Sequence, residues 1–132
     1  MSVVSHEDGT RTMSQDEGRD VAVSKQEAST RGDSEVLRGH ENFRITGLSV
    51  HPALIRGLIM VKKATALAHA ELGQIPNHIG QAIAKAADDA LAGKLDSNFI
   101  LDPIQGGAGT SINMNVNEVL ANRAIEILGG VK

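Results

Sequence analysis

The sequence predicts a mainly α fold, a small helical domain behind a disordered N-terminal tail, and three observations carry that prediction. The chain of 132 residues is 41% hydrophobic but only 2% aromatic, with Phe43 and Phe99 as its rings. Any core must be built from Ala, Leu, Ile and Val, and an alanine-rich chain with few β-branched runs favours close helix–helix packing over sheet. Ile79, Ala82, Ile83, Ala86, Ala87, Ala90 and Leu91 recur on one face of a 3.6-residue period. Prolines and glycines stand where helices would start and stop. The length suggests one domain.

The elements follow in order. Residues 1–36 contain no Leu, Ile or aromatic residue and are rich in Ser, Asp, Glu, Gly and Arg. Such a segment cannot bury enough apolar area to offset the entropy of ordering its backbone, so it is expected to be disordered. Order is expected over 37–132. Phe43, Ile45 and Leu48 alternate with polar or small residues, which predicts a short extended entry. Pro52 suits a first helical position, where its missing N–H costs nothing. The helix it opens should end at Gly73, with Pro76 beyond. Leu54, Ile55, Leu58, Ile59, Val61, Ala66, Leu67 and Ala70 lie nearly all round it, predicting burial against several partners with Lys62 and Lys63 on the wet side. His40, His51, His69 and His78 read as surface or capping residues, with His69, on this apolar helix, the one most open to burial.

The second helix should run from a cap at Asn77 to Gly93, with Lys85, Asp88 and Asp89 facing solvent. A connection of about 94–113 follows, long for a compact domain, and loops of that length are usually functional. The third main helix should begin near Asn115 to Asn117 and end at Gly129–Gly130. Arg123 falls on its apolar face, so it needs a carboxylate or carbonyl partner.

Composition also excludes. There is no Cys, which removes disulfides, thiolate catalysis and cysteine-ligated zinc. The histidines at 6, 40, 51, 69 and 78 form no metal-ligand spacing, so no metal site is expected. A net charge of −3 and a pI near 5.9 offer no basic surface for nucleic acid. No apolar run approaches the roughly 20 residues that span a bilayer. The acidic, polar N-terminus is unlike a secretory signal, so a cytoplasmic setting is expected.

The chemistry concentrates in "DPIQGGAGTSINMNVNEVLANRA", Asp102 to Ala124. Gly106, Gly107 and Gly109 allow backbone conformations closed to other residues and let a ligand approach the main chain. Thr110 and Ser111 add hydroxyls just ahead of a helix, whose N-terminus favours an anion. No Lys follows the glycines, so this is not a Walker loop. Neither hydroxyl has a nearby histidine base in sequence. The pattern points to binding of a small carboxylate or phosphate.

"QGGAGTSINMNVNEVLANRA" resembles the first signature block of the aspartase/fumarase superfamily. "ENFRITG", "LIRGLIMVKKATALAHAELG" and "AADDALAGKL" fit the same family in the same order, so the resemblance covers about Leu37 to Gly130. It is closer to the aspartate ammonia-lyases than to class II fumarate hydratases, which carry Gly-Ser-Gly-Thr where this chain has Gly107 to Thr110. The resemblance implies the helical N-terminal domain of that fold, with three main helices and a Gly-rich loop. It implies reversible elimination of ammonia from L-aspartate to give fumarate, with no organic cofactor, in a homotetramer. It makes Thr110 a ligand of the substrate carboxylate, with Ala108 and Gly109 shaping the wall and Ser111 and Asn113 in support.

The family's later blocks, among them the mobile serine loop that supplies the general base, do not occur up to Lys132, and residues 1–36 show no counterpart. The resemblance therefore implies a chain that holds part of the substrate site and is inactive alone. The alternatives are a fragment of a fumarate hydratase, or a non-enzymatic module that docks on full-length lyase subunits.

Overall fold

The computed structural model describes residues 35–130. Four α-helices account for most of them: α1 (Glu35–Asn42), α2 (Pro52–Glu71), α3 (Asn77–Leu91) and α4 (Thr110–Ile127), with a 3-10 turn at Asp96–Asn98. No strand occurs among the described residues.

Local chemistry sets the helix ends. His51 caps α2, its Nδ1 accepting from the Ala53 N–H at 3.1 Å, and Pro52 opens the helix. The helix stops because Gly73 takes φ +70, letting Gly73 N–H reach Ala70 O and Gln74 N–H reach His69 O. That is the Schellman pattern. It repeats at Gly93, with Lys94 N–H on Asp89 O, and at Gly129, with Gly130 N–H on Ile125 O.

The core runs between the helices: Val36 from α1, Ile55 and Ile59 from α2, Ala82, Ala86, Ala87 and Ala90 from α3, Leu101 from the connection, and Ile112, Val116, Leu120 and Ala124 from α4. Helix α3 lies in the middle, packed against both α2 and α4. Its small side chains permit that. At Gly80 the approach is closest, since a Cβ there would lie 2.6 Å from Ala70 Cβ and 3.1 Å from Ala66 O.

The structure departs from the sequence expectations in several places. The expected tail is placed at 1–36; residues 1–34 lie outside the described residues, while Val36 is fully buried. Glu35 to Asn42 form a helix that the sequence did not signal, residues 43–51 carry neither helix nor strand, and Ile45 and Leu48 are exposed. Helix α2 is not buried all round. It buries Ile55, Ile59 and Ala66 and leaves Leu54, Met60 and Val61 exposed, because α3 covers one flank. Lys63 is half-buried and its Nζ binds Asp88 Oδ1 at 2.6 Å. Asn77 is the first residue of α3, and Pro76 holds the cap position without a side-chain bond. Helix α4 begins at Thr110, earlier than Asn115 to Asn117, because its first turn buries Ile112. His40, and not His69, is the buried histidine, at 3% exposure.

The partner Arg123 requires is Asp89, which is buried and not solvent-facing. Arg123 Nε and Nη2 reach Asp89 Oδ2 at 2.9 and 2.7 Å, and Lys94 Nζ reaches Oδ1 at 2.6 Å. Hydrogen bonds from Lys94 and then Arg123 hold the Asp89 carboxyl below the usual carboxylate range despite its burial. The cluster ties α4 to the end of α3.

Candidate functional site

The connection from α3 to α4 is built from its stem upward. Asp102 is buried and its carboxylate accepts four hydrogen bonds: Thr46 N–H at 2.7 Å, the Thr46 hydroxyl and Gly47 N–H at 2.9 Å, and Ile104 N–H at 2.9 Å. Burial pushes this carboxyl upward, but those donors favour the charged form more strongly and hold it at about 2. Gln105 Nε2 donates to Asp102 O at 3.0 Å. Asn115, buried inside α4, donates from Nδ2 to Asn98 O at 3.0 Å and fixes the helix to the 3-10 turn. Asn115, near which the sequence places the helix start, is thus an interior residue of α4. The carbonyl of Ile100 can only accept, so His40 Nδ1, 3.1 Å away, carries the proton. These bonds clamp both sides of the glycines.

The loop itself is left-handed at successive residues, Gly107 at φ +76, Ala108 at +53 and Gly109 at +85. Glycine reaches that region freely, but alanine pays about 1–2 kcal/mol there. Non-glycine residues held this way concentrate at ligand-binding and switch regions. Gly106 is pinned from below, since a Cβ there would lie 2.8 Å from Phe43 Cζ. Gly109 occupies the cap position of α4 with no side-chain cap bond. Thr110 N–H closes a turn on Gly107 O at 3.1 Å, and Asn113 N–H bonds Gly109 O. Helix geometry leaves the N–H groups of the first turn without i−4 partners, so those of Ser111 and Ile112 remain as donors.

All five sequence-selected residues gather here. Ala108, Gly109 and Thr110 are exposed, while Ser111 and Asn113 are half-buried on the first turn of α4. A Cβ built on Gly107 would meet Thr110 Cβ at 3.9 Å and one on Gly109 would meet nothing within 4 Å beyond its chain neighbours. No acidic residue stands in the first turn of α4 to repel an anion. Among the described residues neither Thr110 nor Ser111 is bonded to a histidine, and no group of three or more His, Asp and Glu could hold a metal ion. The first turn of α4 offers N–H and hydroxyl donors, and among the described residues no histidine is bonded to either hydroxyl. The sequence reasoning missed the stem, Asp102 with Thr46, because those partners are 56 residues apart.

With this geometry established, comparison with known proteins places the chain. A family model described as lyase matches residues 24–132, so its match starts ahead of the boundary drawn at residue 37. The chain belongs to the lyase family that includes the aspartate ammonia-lyases. It is 56% identical to an aspartate ammonia-lyase of a Bacillus species over 74% of its length, and 51% identical to that of Bacillus subtilis over 86%. A class II fumarate hydratase of Myxococcus xanthus is 48% identical over 74%. The solved fumarate lyase:delta crystallin of Brucella melitensis superposes with a TM-score of 0.71 and 49% identity over 74% of this chain and 22% of that one. The chain spans 21% of the first of these relatives and 24% of the second. No helix among the described residues is long and apolar enough to cross a membrane.

Proposed function

We propose that this chain supplies the dicarboxylate-binding loop of an aspartate ammonia-lyase, a cytoplasmic enzyme that reversibly eliminates ammonia from L-aspartate to give fumarate. The observation that carries the reading is the left-handed Gly107–Ala108–Gly109 turn, which presents exposed Thr110 and the uncapped first turn of α4.

In the elimination a proton leaves the carbon bonded directly to the carboxylate that will bear the charge, next to the carbon that carries the ammonium, and the carbon–nitrogen bond then breaks to release ammonia. Negative charge builds on that carboxylate before the bond breaks, and donors already aimed at it lower the barrier. Thr110 takes the role of direct carboxylate donor, Ala108 and Gly109 shape the wall beside it, and Ser111 and Asn113 support it. Their exposure in this chain suits a site completed by other polypeptide. The base and the second carboxylate site lie on the further length that the relatives possess, assembled in a homotetramer. This chain alone therefore binds without turning over.

The test is direct. Purified chain should show amide shifts at Gly107 to Asn113 on titration with fumarate, lost in Thr110→Ala, and no fumarate formed from saturating L-aspartate. Turnover by the chain alone would overturn the incomplete-site reading, and silent amides at Gly107 to Asn113 would overturn the loop's assignment. The 48% identical fumarate hydratase favours a second reading, hydration of fumarate. Adding the chain to a lyase that lacks its matching segment separates the two, by whether L-aspartate or malate is consumed.

A further inference from the structure

A second concavity lies away from the glycine loop. It is a cleft of about 290 Å³ where α2, α3 and the 3-10 turn meet, lined by Ile55, Arg56, Ile59, Ala90, Asp96 and Phe99 among others. That volume falls at the small end of ligand pockets, roughly 300–1,000 Å³. Its floor is apolar, with Ile59 1% and Ala90 4% exposed and Phe99 half-buried.

Two opposite charges stand on its walls without pairing. Arg56 gives one donor, Nη1, to Leu91 O at 3.0 Å, which leaves Nε and Nη2 without partners among the described residues. The Asp96 carboxylate accepts no hydrogen bond among them, and its Oδ2 would lie 3.3 Å from a Cβ built on Gly93, at the cleft edge. The neighbouring cations are engaged elsewhere, Lys94 with Asp89 and Lys63 with Asp88. No described ion pair joins Arg56 to Asp96, so an exposed guanidinium and an exposed carboxylate line the rim of one small apolar space.

We propose that this cleft binds a free amino acid with an apolar side chain, a site separate from the dicarboxylate loop. The carboxylate of the ligand meets Arg56, its ammonium meets Asp96, and its side chain lies on Ile55, Ile59 and Phe99. An internal polypeptide segment would match the floor but would offer Arg56 and Asp96 only neutral backbone carbonyl and N–H groups, weaker partners than the two charged ends of a free amino acid. Charge-assisted hydrogen bonds are the stronger kind, and both ends of a zwitterion make them here.

The probe is L-leucine, titrated into the full chain and followed by amide chemical shifts. Saturable shifts should appear at residues 49–59 and 90–99. Arg56→Gln and Asp96→Asn should each weaken binding about tenfold. Isocaproate, which lacks the ammonium, and isoamylamine, which lacks the carboxylate, should bind at least as much more weakly. Equal binding of all three compounds would reduce the cleft to an apolar contact and overturn the proposal, as would no shift in a chain whose spectrum is dispersed. Fumarate shifts at Gly107 to Asn113 in the same sample report the other site independently, so either reading can fail without the other.

Discussion

The same substitution, glycine to alanine, should act with opposite sign at two helical positions. Gly57 lies inside α2, exposed, and a Cβ there meets nothing within 4 Å. Alanine is the better helix former by about 1 kcal/mol, so Gly57→Ala should stabilise the fold by roughly that amount. Gly80 in α3 has the same propensity to gain, but its Cβ would lie 2.6 Å from Ala70 Cβ and 3.1 Å from Ala66 O. The second of those is backbone and cannot turn aside. Overpacking of this kind costs about 1–3 kcal/mol, and the contact falls at the severe end, so Gly80→Ala should destabilise by roughly 1–2 kcal/mol net. Urea unfolding followed by helical circular dichroism measures both. Adding Ala70→Gly to Gly80→Ala should recover part of the loss beyond additivity, because it removes the opposing methyl. If the two alanine variants shift stability in the same direction, the close α2–α3 approach does not exist in solution.

Other outcomes follow from the polar framework. The Asp102 carboxyl is depressed in the folded chain from 3.8 to about 2. Its contribution is therefore complete above pH 4 and lost as pH falls from about 4 through 2. Asp102→Asn should be less stable than the parent at neutral pH, with the two acid-unfolding curves converging near pH 2. Asp89→Asn should lower stability most at low salt and loosen Arg123, read as faster amide exchange at the C-terminal half of α4. Asn115→Ala leaves the Asn98 carbonyl without its donor and opens a cavity, so it should cost roughly 1–3 kcal/mol in thermal unfolding.

How much of this was legible depended on how local the cause was. The ends of α2, α3 and α4 were readable because Pro52, Gly73, Gly93 and Gly129 act through their own backbones. The start of α4 was not. Ser-Ile-Asn-Met-Asn-Val-Asn has mediocre helix propensity, and it is helical because Gly109 turns the chain and Ile112, Asn115 and Val116 pack beneath it. Helix α1 spans 8 residues, too short to show a period, and it is held by contacts to α4. Asp89 looked like surface because its two cations sit at 94 and 123; only folding brings Arg123 to it. The five residues of the glycine loop stand out in the sequence because their chemistry is contiguous, whereas Arg56 and Asp96 share a cleft across 40 residues of chain that no local pattern connects.

Ala108 allows the loop's purpose to be tested against its stability. Its φ of +53 is a conformation that costs an alanine about 1–2 kcal/mol, and glycine would adopt it freely. Ala108→Gly removes that strain but gives the unfolded chain more freedom, worth about 0.4–1 kcal/mol in the opposite direction. The net should be a fold more stable by roughly 0.5–1 kcal/mol. Binding should respond the other way. A glycine between Gly107 and Gly109 makes three in succession, and the loop must then be ordered when the anion arrives, weakening fumarate roughly two- to fivefold. Paired measurements, urea unfolding and fumarate titration on the same variant, decide it. A methyl group kept only for packing predicts lost stability with unchanged binding, and that result would remove the argument that strain at Ala108 serves the ligand.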